Sequence, residues 1–118
     1  MSTVAPQTLF PFSTSQDVAV TTWSALAAGD SADPISLGVY SDRTVQVDGT
    51  FGGATVLLQG SNNGLTYHTL TDPQGNPLSF AAGGLETIIE LPVYLRPLVQ
   101  SGDGSTSLTV TVSGRRSI

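Results

Sequence analysis

Apolar and polar residues alternate most clearly between Arg43 and Leu70. Val45 and Val47 alternate with Thr44, Gln46 and Asp48, the period-2 pattern of a strand with one wet face. Val56 and Leu58 repeat that pattern after Gly52-Gly53, a pair that can turn the chain because glycine accepts positive φ. Asn63-Gly64 is a strong hairpin signal and precedes a further strand through Tyr67 and His68. The pattern therefore predicts three consecutive antiparallel strands joined by two glycine-marked turns.

The flanking sequence extends the same reading. Val18, Val20 and Thr22 alternate with Ala19, Thr21 and Trp23 in a predicted first strand, with Trp23 assigned to the core. Ile35–Tyr40 reads as a short strand broken at Gly38, and Leu78–Phe80 as another. Leu85–Leu91 fits both a helical stripe (Leu85, Ile88, Ile89) and a strand; Gly83-Gly84, Pro92 and the β-branched centre favour the strand. Val93–Gln100 carries Pro97 and is entered through Pro92, which predicts a strand at or near a sheet edge. Leu108, Val110 and Val112 mark a clean last strand, followed by a short basic tail at Gly114–Ile118. About eight strands with turn chemistry between them predict an all-β fold, a single antiparallel β-sandwich or jelly roll. Residues 1–16 lack such a pattern and contain Pro6 and Pro11, so they read as an extended N-terminal arm on a body spanning 17–118.

Composition narrows the chemistry. There is no cysteine among the 118 residues, so disulfides and thiolate chemistry are excluded. Four arginines and no lysine face nine acids, a net charge of -5, which argues against nucleic-acid binding through a basic surface. Fifteen threonines and fourteen serines carry the polar load instead. The N-terminus lacks the basic and apolar regions of a secretory signal, and no apolar run approaches the ~20 residues of a membrane helix. The expectation is a protein made in a cytoplasm, with no membrane partner.

Candidate sites are few. His68 is the single histidine, so neither a catalytic histidine pair nor a multi-histidine metal site can be assembled. Glu86 and Glu90, if on one strand, lie roughly 13 Å apart, too far for a glycosidase pair. Asp30, Asp33 and Asp103 fall in loops without EF-hand spacing. No enzyme, cofactor or metal is expected. Arg96, within Tyr94-Leu95-Arg96-Pro97, reads either as a structural arginine paired with an acid such as Glu90 or as a contact to a neighbouring subunit. Leu9, Phe10 and Phe12 in the arm are candidate anchors for a partner, and Arg115 and Arg116 suit an acidic partner surface.

Three segments together, Asp42–Phe51, Leu58–Gly64 and Tyr94–Pro97 leading to Gly102-Asp103-Gly104, resemble small virion structural proteins of tailed bacteriophages, of the capsid decoration or cement type. The resemblance covers roughly residues 35–116. It implies a non-enzymatic protein on the outside of the capsid that stabilises joints between major capsid subunits, as a homodimer or homotrimer, with a β-sandwich or jelly-roll body and extended termini. The same segments also look like discoidin-type carbohydrate-binding jelly rolls, although Tyr67-His68 stands where such modules commonly place a tryptophan. A glycan site would then use Tyr40, Tyr67 or Tyr94 as a stacking surface. A tail or baseplate adaptor with an Ig-like sandwich is the third reading.

Overall fold

A computed structural model of the protein describes residues 3–11 and 17–116. These residues form eleven strands and no helix. In chain order they are β1 (Thr3–Val4), β2 (Gln7–Leu9), β3 (Val18–Leu26), β4 (Ser31–Ala32), β5 (Tyr40–Thr50), β6 (Ala54–Ser61), β7 (His68–Thr69), β8 (Ser79–Phe80), β9 (Gly84–Ile88), β10 (Tyr94–Ser101) and β11 (Ser107–Arg116). A five-stranded antiparallel sheet has the order β2-β3-β11-β5-β9; a four-stranded one runs β10-β6-β7, with β8 also paired to β6. β1 and β4 make a small parallel pair. The fold is all-β, and its main sheets are antiparallel.

One core serves both main sheets. The five-stranded sheet supplies Trp23, Leu26, Val45, Val47, Val110 and Val112, and the four-stranded sheet supplies Val56, Leu58, Leu95 and Val99. Cross-strand register explains the grouping: Val110 lies opposite both Trp23 and Val47, and Val112 opposite Thr21 and Val45. Residues directly opposite in a sheet share a face, so one aligned pair commits the whole row. Trp23 and Leu26 are three apart, which period-2 alternation would put on opposite faces. A bulge between Leu108 and Val110, with Ala25 at φ 55°, resets the phase so that both are buried. The Trp23 indole N–H donates to the Asp33 carbonyl at 2.9 Å.

Three sequence expectations need correction. The Arg43–Leu70 stretch is not one meander: β5 and β6 lie in different sheets, and the turn at Gly52-Gly53 (φ 57° and 82°) carries the chain from one to the other. Alternation marked both strands but could not say which partner each would take. Ile35–Tyr40 is not a strand either; Ile35 makes a lone bridge to Leu95 and Tyr40 already belongs to β5. At the C-terminus, Gly114, Arg115 and Arg116 continue β11 rather than forming a tail.

Pro97 is accommodated because β10 is an outermost strand of its sheet. Leu95 exchanges both backbone hydrogen bonds with Ile35, on the side away from β6. Pro97, two residues on, aims its nitrogen to that same outer side, where no ladder bond is lost. Within the first sixteen residues, β1 pairs with β4 and β2 runs antiparallel to β3, Leu9 opposite Val20.

Candidate interaction surface

β2 and β9 are the outermost strands of the five-stranded sheet. Four inter-strand steps of ~4.8 Å separate them, roughly 19 Å. The central rows of the sheet's outer face between them are uncharged and rich in hydroxyls. One cross-strand row reads Leu9, Val20, Ser113, Thr44, Thr87, and the next Gln7, Thr22, Thr111, Gln46, Leu85. Charges sit toward the ends of these strands, where Asp48 accepts a hydrogen bond from Gln46 at 2.7 Å and Arg115 lies opposite Asp42.

The β9 margin carries the most distinctive feature of the surface. After β9 the chain leaves the strand at Ile89 and crosses, with a bend at Val93, to β10 in the other sheet. Along it Leu85, Ile89, Leu91 and Val93 are 62%, 54%, 57% and 47% exposed. These four residues follow one another along a single edge segment, which therefore leaves an apolar ridge open to solvent. Isolated exposed leucines need no explanation, but four large apolar residues exposed within nine positions do.

The residues between them fasten the ridge to the body. Ile88 is buried in the core. Ile89 N–H donates to the Thr71 carbonyl at 3.1 Å, and the Glu90 carboxylate accepts from the Thr71 N–H at 2.8 Å and from its hydroxyl. Burial opposes ionisation of Glu90, yet the Thr71 hydrogen bonds outweigh it and hold the carboxyl below the ordinary glutamate range. Pro92 lies over Gly60, where an added Cβ would come within 2.5 Å of the proline ring. Val93 N–H donates to Asn62 Oδ1 at 3.1 Å. Four surface grooves border this segment, one flanked by His68, Asn62 and Leu91, one by Thr87 and Ile89, one by Glu86 and Phe80, and one by Leu91 and Val93.

Arg43 stands at the foot of the ridge. It is 4% exposed, with Nε donating to the Tyr40 carbonyl at 2.8 Å and Nη1 to the Pro92 carbonyl at 3.5 Å. Desolvation lowers its pKa from the usual arginine value.

The residues singled out in the sequence are not brought together. Leu9 and Phe10 are exposed at the β2 margin, across the sheet from the ridge. Phe12 lies outside the described residues. Arg96 is not paired with Glu90: its guanidinium stacks on the Tyr67 ring, 3.7 Å from the centroid, and Nε donates to Gln59 Oε1 at 3.2 Å. This group lies on the outer face of the four-stranded sheet, where Arg96 is opposite Gln59. Arg115 and Arg116 are exposed at the end of β11, Arg116 pairing with Asp17 at 3.6 Å.

His68 is exposed on β7, opposite Gly60. Asp30 caps its own turn by accepting from Ala27 N–H, and Asp103 accepts from the Ser105 N–H and hydroxyl, which hold its carboxyl below the usual range. Among the described residues no three of His, Asp and Glu gather in a group that could hold a metal ion. Sequence reasoning missed the ridge because alternating apolar residues normally mark the buried face. The available signal was Ile88-Ile89, two adjacent large apolar residues that cannot both face one core. No protein-family model and no curated protein matches this chain.

Proposed function

We propose that this protein is a non-enzymatic virion structural protein that binds the outside of a tailed-phage capsid and stabilises joints between major capsid subunits. The observation that carries the reading is the apolar ridge Leu85–Ile89–Leu91–Val93 on a segment pinned from behind by Thr71, Asn62 and Gly60. A fastened edge that exposes several apolar side chains close together is suited to a second protein surface. Covering the four half-exposed side chains would contribute on the order of 4–6 kcal/mol before ordering costs. The hydroxyl-rich face and the second apolar margin at Leu9 and Phe10 widen the footprint, and the resemblance of three segments to capsid decoration proteins supplies the kind of partner. On this reading the two sheets are the layers of one β-sandwich, and the copies act as a homodimer or homotrimer.

A glycan-binding module is the weaker reading. Tyr67 has one ring face occupied by Arg96, and Gly64 lies against the Tyr94 ring. The test is co-sedimentation of purified protein with assembled capsids, followed by capsid melting. Binding at a fixed stoichiometry with a raised melting temperature is expected; protein left in the supernatant at saturating capsid would contradict the proposal.

A further inference from the structure

Arg43 is a buried cation whose only hydrogen-bond acceptors among the described residues are two backbone carbonyls. No carboxylate lies within ion-pair distance of it among those residues. A buried guanidinium ordinarily faces an acid, because carbonyl dipoles alone do not replace the hydration that it loses. Nη2 has no acceptor among the described residues, and every fully buried side-chain nitrogen and oxygen among them has one. Nη2 therefore keeps contact with solvent. Two clefts reach Arg43: a larger one lined also by Asp42, Thr87 and Ser113, and one of about 250 Å³ lined also by Ser36, Tyr40, Leu91 and Val93 and by Pro92, to whose carbonyl Nη1 donates.

We propose that the smaller cleft is a carboxylate-binding site in which the Arg43 guanidinium receives the anion, with Ser36 and Ser41, which also line it, as further donors. Several features favour a carboxylate. The cleft is small, the guanidinium fork matches the two oxygens of a planar carboxylate, and the apolar wall of Leu91 and Val93 suits the carbon that bears it. Tyr40 and Pro92 hold the fork in place through their carbonyls, so little ordering is needed on binding. The natural source is an acidic side chain or a chain end on the protein that covers the ridge, and in that respect the inference rests on the surface reading above. The site itself does not.

The test is a titration of the full-length, ¹⁵N-labelled protein with sodium acetate, against sodium chloride at matched ionic strength, read by NMR at the Arg43 Nε–H and the amides of Ser36, Gly38 and Ser41. Saturable shifts with acetate, half-complete on the order of 10 mM, are expected, with chloride producing none. Shifts that are linear in acetate, or equal in chloride, would overturn the site whether or not capsid binding is found. The variant R43M should lose the saturable response while R43K keeps a weakened one; a saturable response undiminished in R43M would also overturn the assignment. Should R43M not fold, the wild-type Nε–H signal still decides the matter. Two peptides then separate the sources: a capped apolar tripeptide with a central glutamate, and an apolar dipeptide with a free C-terminal carboxylate. At least tenfold tighter binding of one over the other names the source. Failure of both to improve on acetate would limit the site to small free acids and detach it from the capsid interface.

Discussion

The Arg96 guanidinium carbon lies over the Tyr67 ring, 3.7 Å from its centroid, with Nε donating to Gln59. Each of the three residues is half-buried, so the stack is neither fully hydrated nor sealed. A cation over an aromatic face contributes about 0.5–1 kcal/mol in such a setting. A double-mutant cycle of R96A and Y67A, measured by urea unfolding, should return a coupling energy of that size. A coupling indistinguishable from zero would mean that the stack forms no stabilising contact in solution.

Glu90 links pH to stability. Its folded pKa is below the ordinary glutamate value of 4.5 because the Thr71 hydrogen bonds to the carboxylate prevail over burial. Its contribution is therefore complete above the unfolded pKa and lost as pH falls through the folded value. Unfolding free energies between roughly pH 6 and pH 3 should fall more steeply for the wild type than for E90Q, which cannot take up that proton. Parallel curves would refute the assignment.

Gly60 sets the height of the Pro92 segment. A Cβ there would meet the Pro92 ring at 2.5 Å and Leu70 Cδ2 at 2.8 Å. G60A should cost about 1–3 kcal/mol by overpacking, seen as a lowered urea midpoint. If the proposed capsid contact is made through the ridge, it should also weaken that binding, because the ridge is displaced with the proline. Normal stability would show that Pro92 gives way freely.

Much of the fold is legible in the sequence, and the losses have identifiable causes. Alternation at Val45/Val47, Val56/Leu58 and Leu108/Val110/Val112 locates long strands because a strand has one period and each of these has one buried face. Partner choice is not local, so Gly52-Gly53 reads equally well as a hairpin turn and as the sheet-to-sheet crossing it is. The Ala25 bulge is likewise invisible, since it depends on the register of β11 against β3. The candidate anchors that the sequence offers, Leu9, Phe10 and Phe12, lie where the pattern is poor. The ridge lies where the pattern is good, with its apolar phase turned outward. Arg96 stands out in the sequence, while its partner Tyr67 lies 29 residues away, just before β7, and only the fold brings the two together. Arg43 attracts no notice at all, because nothing local marks it for burial between Tyr40 and Pro92.

The most direct measurement is capsid co-sedimentation of wild type against I89D and L91D. Both side chains are more than half exposed, so each variant should unfold within about 0.5 kcal/mol of the wild type. A charge placed on the ridge would have to be buried unpaired against the capsid, and the account predicts at least a tenfold loss of affinity for each. Two folded variants that sediment with capsids as well as the wild type would contradict it.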